Sequence, residues 1–483
     1  MKAMYTKGNK TNGLTPITSE WMKQIMSDKS LIENLISTYG SPVNLHHLTT
    51  FSANIKKFKE LFKQYDLKHQ IYYARKANKS KSLVQHALNN GIGVDTASFR
   101  ELEQSLALGG TGKTLVLTSA IKTREQYALA IKKQVPIILD NIDECELANA
   151  IALEVGETAV VGFRVSGFEV DNKKLYSRFG FDIESLKQFI FKNIGGQLKY
   201  KHLNIKGLHF HLDGYSTLER GKALSDCITI VSELNEGGFG LEFIDIGGGI
   251  LINYLEKEQE WINFDSQLRE QVASGKGNLT FNQNGLGYEL INGNVERSLK
   301  TYPYYNKVNG VDFLKGVLEY KASEESLPNF SKLQSGNIEL RIEPGRSLLN
   351  QVGVTVAKVA HRKQDARGQW LVGLEMNMSQ MMSSSKDFLL DPYFIYEDDS
   401  SDKSAVDVFF TGAYCLERDL LLKRKITLPQ LPKIADFVAF VNTAGYMMHF
   451  FETEAHLFEL SANLSFESSE KLSVSDFVND DNL

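Results

Sequence analysis

Short apolar runs alternate along this chain with stretches whose apolar residues recur at helical spacing. Eight runs read as buried parallel strands: 71–75, 92–95, 115–118, 136–140, 159–165, 205–211, 242–247 and 338–343. Between them, 82–90, 98–108, 124–133, 143–154, 182–193 and 217–236 repeat apolar positions every three or four residues, which predicts helices. Gly91, Gly109 and Gly237 stand where helix C-caps are expected. Strand–helix alternation repeated eight times predicts a (β/α)8 barrel. A doubly wound sheet shares that periodicity and stays open as the alternative.

From about residue 347 the pattern changes. Segments 352–360, 369–373, 406–411, 433–441 and 457–461 read as strands without regular helices between them, which predicts a mainly β C-terminal domain. The expected division is an N-terminal segment, 1–45, packing with the β domain; a barrel, 46–346; the β domain, 347–464; and a polar, acidic tail, 465–483, that frays. One barrel interval is out of proportion. Gly249 and Ile338 are separated by 88 residues, and about 254–330 reads as an insertion. It holds an Asn- and Gly-rich stretch, 278–288, and the cluster Tyr302-Pro303-Tyr304-Tyr305. It leaves the C-terminal end of a strand, the face that carries active sites in such barrels.

Composition narrows the function. The 483 residues hold 54 Lys+Arg and 59 Asp+Glu, a net charge of −5, which gives no basis for a nucleic-acid surface. Cys145, Cys227 and Cys415 are too few and too scattered for a disulfide framework or a zinc site. No apolar stretch approaches the ~20 residues of a membrane span. Residues 1–12 are polar and lack a signal-peptide core, so a cytoplasmic location without membrane partners is expected.

Candidate chemistry lies at strand ends. Lys76, in Ile71-Tyr72-Tyr73-Ala74-Arg75-Lys76-Ala77-Asn78, stands where the first strand leaves the sheet. A lysine there can form a Schiff base with an aldehyde cofactor such as pyridoxal phosphate. Asp245-Ile246-Gly247-Gly248-Gly249 suits either a phosphate held by backbone N–H groups or a tight turn. Glu343-Pro344-Gly345-Arg346 closes the eighth strand. Its carboxylate can keep a pyridine nitrogen protonated and its arginine can pair with a phosphate, although a strand-end ion pair has the same residues. Alternation puts His209 and His211 on one strand face, where one could stack on a flat cofactor. An imidazole pair also invites a metal reading, but only Asp213 stands at ligand spacing, and no metal is expected.

Taken together, the order of these motifs resembles the fold-type III pyridoxal-phosphate decarboxylases of the alanine-racemase fold. That group includes the diaminopimelate, ornithine and arginine decarboxylases, and the resemblance spans residues 40–450. It implies pyridoxal 5'-phosphate as cofactor, Lys76 as the Schiff-base residue and Asp95 near the cofactor. It further implies Arg164 near the ring hydroxyl, His211 stacked on the ring, and Glu343 as partner of the pyridine nitrogen. Gly247, Gly248, Gly249, Gly345, Arg346 and Tyr446 would take the phosphate. Members work as head-to-tail homodimers, so Cys415 is expected to protonate Cα in the partner's site. The implied reaction removes the α-carboxylate of an amino acid or amino-acid-derived substrate through a Schiff base and a quinonoid.

The departures concern the substrate. Diamino-acid decarboxylases carry an acid directly after the cysteine; here Leu416 stands there, followed by Glu417 and, further on, Asp419. The diaminopimelate enzymes hold the distal carboxylate with an Arg-Pro segment, and its counterpart here is Asp391-Pro392-Tyr393. Glu417, Asp419, Asp391 and Tyr393 are therefore the candidate substrate residues of a divergent subgroup. A racemase of the same fold and a non-catalytic cofactor carrier are the rival readings. Racemases pair the ring nitrogen with arginine, and the carriers lack a β domain.

Overall fold

The computed structural model describes residues 3–10, 13–195, 198–383, 387–397 and 404–483. Residues 1, 2, 11 and 12 of the polar N-terminal stretch lie outside the described residues. Eight parallel strands close into a barrel. They are His69–Ala74, Gly93–Thr96, Leu115–Leu117, Ile137–Leu139, Ala159–Ser166, Leu203–His209, Phe243–Asp245 and Glu339–Ile342. Closure is explicit in the register: Leu340, Arg341 and Ile342 of the last strand face His69, Gln70 and Ile71 of the first. The doubly wound alternative is thereby excluded, because an open sheet leaves two edges.

Helices cover the outside of the barrel. Their apolar faces and those of the strands form one continuous core that includes Phe58, Phe62, Leu83, Leu102, Tyr127, Phe163 and Leu224. The barrel axis is filled by Tyr72, Val116, Ile138 and Phe243. Arg341 lies against the Phe243 ring at 3.6 Å and the Tyr72 ring at 5.8 Å. Gly207 is required there, since a Cβ would collide with Phe243. Helix Phe99–Ala107 shows how local sequence sets an entry point. Ser98 Oγ accepts the Glu101 N–H at 3.2 Å, and Glu101 Oε2 accepts the Ala97 N–H at 2.7 Å, so one orphan donor of the first turn and the N–H just before the cap are satisfied.

The second unit is a ten-stranded sheet assembled from distant parts of the chain. Its long strand Gly353–Gln364 pairs with Phe437–Val441, Trp370–Leu374 and Val43–His47. Strand Ala3–Lys7 pairs with Tyr393–Glu397, and Val43–His47 also runs parallel to Ala462–Phe466. Two expectations are corrected. Segment 457–461 is not a strand: a 3-10 turn at Ala455–Leu457 is followed by open chain, and pairing begins at Ala462. The tail does not fray. Val478–Asn479 pairs with Ala462–Phe466, and Asp480 docks on the barrel. Asp480 Oδ2 accepts the Lys81 N–H at 2.7 Å and Oδ1 accepts the Ser82 N–H at 3.2 Å, so it caps helix Lys81–Asn89 from 399 residues beyond Lys81. A polar tail stays ordered here because its charge satisfies buried donors.

Candidate active site

The first barrel strand stops at Ala74 and a 3-10 turn, Arg75–Ala77, redirects the chain. The turn is clamped on both sides. Arg75 is buried and donates to the Glu101 carbonyl at 3.0 Å and to Ser105 Oγ at 3.1 Å. Asn78 Nδ2 reaches His46 Nε2 and the Ala444 carbonyl, each at 3.0 Å. Held between these anchors, Lys76 extends Nζ to 2.9 Å from Asp95 Oδ2. The other Asp95 oxygen accepts the Thr118 hydroxyl. Burial works to lower the Lys76 pKa, but the Asp95 and Glu343 carboxylates outweigh it and raise it. Burial and Glu343 raise the Asp95 pKa, against the opposing pull of Lys76.

The glycine run after the seventh strand lies alongside. Gly247 and Gly249 hold φ of 66° and 77°, a region that favours glycine. Space demands glycine as well. A Cβ at Gly247 would stand 2.7 Å from His211 Nδ1, one at Gly248 2.5 Å from the Glu343 carbonyl, and one at Gly249 would strike the Arg220 guanidinium. Gly345 is equally constrained: its Cβ would lie 2.8 Å from the Ala77 Cβ and 2.9 Å from Tyr446 Oη. Beside these glycines opens a cavity of about 150 Å³ lined by His211, Tyr215, Gly249, Tyr302, Arg346 and Tyr446, among others. Tyr446 is tied back to the lysine turn through its N–H, which donates to the Ala77 carbonyl at 2.8 Å.

The two histidines take different roles. His209 is the last residue of the sixth strand and its Nε2 lies 3.2 Å from Glu343 Oε1, both side chains being buried. Burial alone would raise the Glu343 pKa; the His209 contact and Lys76 reverse this and hold it at about 2. His211 lies beyond the strand end, and its Nδ1 accepts the Gly248 N–H at 3.3 Å. Burial, with Arg220 and Lys76 nearby, keeps its pKa well below the usual imidazole range. His209, Asp245 and Glu343 bring one ligating atom each within 4.8 Å of one another. Arg164, on the fifth strand, lies 4.1 Å from the Phe179 ring.

Sequence reasoning missed several partners. Arg220, on helix Thr217–Glu236, is buried and donates to the Leu212, Gly214 and Ile246 carbonyls at 2.9, 3.2 and 3.4 Å, which ties the loop after the sixth strand to the glycine run. An arginine on a helix face gives no signal of this. The His209–Glu343 contact was partly visible, because both residues close barrel strands.

The candidate substrate residues fare differently. Cys415 and Glu417 are exposed on the loop after strand Val406–Thr411 and do not line the cavity of their own chain. Asp419 is corrected to a structural role: its two oxygens accept the Met378 and Tyr414 N–H groups at 2.8 and 2.7 Å. Asp391 is also structural. It is fully buried and faces Lys7 Nζ at 2.9 Å and Arg424 Nη2 at 3.0 Å. Tyr393 lies in strand Tyr393–Glu397 with its hydroxyl 2.9 Å from that of Thr18, so it too serves the sheet. No helix among the described residues is long and apolar enough to cross a membrane.

The arrangement fits pyridoxal phosphate. An amine, a buried carboxylate held ionised, a cradle that any Cβ would fill and a buried arginine facing a small cavity supply what its aldehyde, ring nitrogen and phosphate require. Residues 48–278 match the pyridoxal binding domain of the pyridoxal-dependent decarboxylases. An uncharacterised protein of Sinorhizobium fredii is 28% identical over 453 residues, 92% of each chain. The diaminopimelate decarboxylase of Methanocaldococcus jannaschii is 25% identical over 365 residues, 72% of this chain and 70% of that one. Among solved structures, the diaminopimelate decarboxylase of Helicobacter pylori complexed with L-lysine superposes with a TM-score of 0.66 at 18% identity, covering 93% of this chain and 95% of its own. The lysine decarboxylase of Selenomonas ruminantium gives 0.64 at 16% identity, covering 92% and 97%. Fold, cofactor cradle and matched barrel agree: residues 48–278 form the pyridoxal binding domain of the pyridoxal-dependent decarboxylases, and the chain as a whole is similar to diaminopimelate decarboxylases in sequence and in fold.

Proposed function

We propose that this chain removes the α-carboxylate of an amino-acid-like substrate other than diaminopimelate or ornithine, as a homodimer with shared sites. The observation that carries the reaction type is Glu343. It is a buried carboxylate held ionised by His209, near enough to Lys76 to raise that amine's pKa and packed against the glycine cradle. Racemases of this fold place arginine at that point, so the charge favours decarboxylation.

Pyridoxal phosphate, when bound, supplies an aldehyde for the substrate amine and a ring that withdraws electrons as carbon dioxide leaves. Lys76 is the amine that would hold the aldehyde, and it must first lose a proton from Nζ. Asp95 Oδ2, at 2.9 Å, is the base placed to take it. Glu343 presents a fixed negative charge that favours a protonated ring nitrogen. Gly247, Gly248, Gly249, Gly345, Arg346 and Tyr446 would hold the phosphate, with His211 beside the ring and Arg164 near its hydroxyl. Cys415 would act in the second subunit's site as the acid that protonates Cα. Exposed apolar side chains support this pairing: Phe450, Phe451, Leu457, Phe458 and Leu460 follow Tyr446, and Leu416 adjoins Cys415.

The substrate reading rests on what is missing: Leu416, not an acid, follows Cys415, and no Arg-Pro segment stands where Asp391-Pro392-Tyr393 does. Glu417 remains free to meet a cationic group. The test is to incubate cofactor-loaded protein with pools of amino acids and their derivatives in D2O and follow them by mass spectrometry. Loss of CO2 with one deuterium gained at Cα is expected. Deuterium gained with the carboxylate retained would mean a racemase, and turnover of diaminopimelate alone would overturn the substrate reading.

A further inference from the structure

The Arg346 guanidinium is buried, 8% exposed, and among the described residues no carboxylate lies within 4.0 Å of it. A buried cation without a counter-charge is costly unless its surroundings stabilise it and an anion completes it. The surroundings are tyrosines. Arg346 Nη1 donates to Tyr254 Oη at 3.0 Å and to the Gly445 carbonyl at 3.1 Å. The guanidinium carbon lies 4.3 Å from the Tyr302 ring centroid and 5.2 Å from that of Tyr446. Its Nε and Nη2 make no hydrogen bond with the described residues, and Arg346 lines the cavity beside Gly249.

Tyr302 comes from the long insertion and is itself fixed. Its Oη accepts the Ile252 N–H at 2.9 Å, and its ring meets Tyr215 and Tyr254 edge-on at 5.7 and 5.5 Å. Tyr304, two residues on, donates to the Asp387 carbonyl at 3.0 Å and accepts the Leu389 N–H at 3.2 Å, which anchors the insertion to the β unit. The Asn- and Gly-rich part of the insertion runs the other way. Phe281 N–H donates to the Lys423 carbonyl at 2.8 Å and Asn278 Oδ1 accepts Lys425 Nζ at 3.0 Å, away from the cavity.

We infer that Tyr254 and Tyr302 are positioning residues for the cofactor's phosphate, aiming the free edge of Arg346 into the cavity, so that the insertion serves cofactor retention. This rests on the reading of the cavity as the phosphate site. A cation over an aromatic face and a charge-assisted hydrogen bond both hold a guanidinium in one orientation, and a pre-oriented donor binds its anion with less entropy lost. The stretch 278–288 then braces the insertion against the sheet and has no part in choosing substrate.

The test compares two ligands that differ by the phosphate alone. Full-length apo-protein is titrated with pyridoxal phosphate and with pyridoxal, following the absorbance of the lysine-bound aldehyde. Tyr254→Phe and Tyr302→Leu are expected to weaken pyridoxal phosphate about tenfold each and leave pyridoxal unchanged. Tyr302→Phe keeps the ring face and should match the parent within about twofold. Equal weakening of both ligands would mean that the tyrosines only support the fold, and unchanged affinity for pyridoxal phosphate would mean that Arg346 needs no orienting; either result overturns the inference. If the parent protein binds pyridoxal and pyridoxal phosphate equally, the cavity is not a phosphate site and the underlying reading fails with it.

Discussion

Asp391 separates an acid that serves the fold from one that serves a substrate. Its carboxylate is fully buried and accepts from Lys7 Nζ at 2.9 Å, Asn9 Nδ2 at 3.0 Å and the Leu14 N–H at 2.6 Å, with Arg424 Nη2 at 3.0 Å. Arg424 is 2% exposed. Asp391→Ala therefore leaves a buried guanidinium unpaired, at a cost of about 3–5 kcal/mol. The Asn9 and Leu14 donors lose a partner as well, adding about 1 kcal/mol each. A total of about 5–7 kcal/mol rivals the whole stability of many domains. Asp391→Asn keeps the shape and most of the bonds, so it should fold with a smaller loss. Urea unfolding by linear extrapolation reads both, alongside steady-state kinetics. Adding Arg424→Met to Asp391→Leu should recover much of the loss, because the uncompensated charge leaves with its partner. An Asp391→Asn protein that unfolds at the parental urea concentration but shows a KM raised about tenfold would refute the structural role and return Asp391 to the substrate.

Three further outcomes are expected. Lys76→Ala and Cys415→Ser should each be inactive alone, yet an equal mixture allowed to exchange subunits should recover about a quarter of parental activity, since half the dimers would carry one intact site; a mixture that stays inactive would sink the shared site. Burial pushes His46 and His47 down to about 4, so between about 6.5 and 4 the unfolded chain binds protons that the folded one refuses, and stability should fall by about 1.4 kcal/mol per pH unit for each histidine as pH drops through that window. Urea midpoints that do not change between pH 6.5 and 4.5 would contradict this; carboxylates held low, such as Glu343, act only below about 4.5. Asp480→Ala removes the acceptor of the Lys81 and Ser82 N–H groups and should cost about 1–3 kcal/mol, and parental stability in that variant would show that the tail contributes nothing.

The barrel was legible because most of its strands carry a short apolar run, as in Leu115–Leu117, Ile137–Leu139 and Ala159–Ser166, and such runs survive without knowledge of their neighbours. Lys76, Glu343 and the glycine run were legible for a related reason: each is a chemical group at a strand end, and strand ends share one face. What failed depended on partners far away in sequence. Nothing near Asp391 announces Lys7 or Arg424, and nothing near Asp480 announces Ser82. Strand Val43–His47 ends in two histidines and reads as polar, yet it is buried throughout because the sheet encloses it on both sides. Segment 457–461 has the right composition for a strand but stands five residues early; alternation marks a strand's existence better than its limits.

The two units differ in when they can be completed. The barrel is contiguous, from His69 to Ile342, whereas Ala3–Lys7 pairs with Tyr393–Glu397 and Val43–His47 with Gly353–Gln364 and Ala462–Phe466. At about 5–20 residues per second, the first of these strands waits roughly 20–80 s on the ribosome for its partner. Through that interval the barrel can close around a Lys76 turn whose Asn78 still lacks Ala444 and whose next helix still lacks Asp480. Unpaired early strands are open edges that invite association with other chains. The same threading brings Tyr446 and the Asn78 and Lys81 anchors to the lysine turn only after the barrel has been made, and leaves the early strands exposed until their partners arrive.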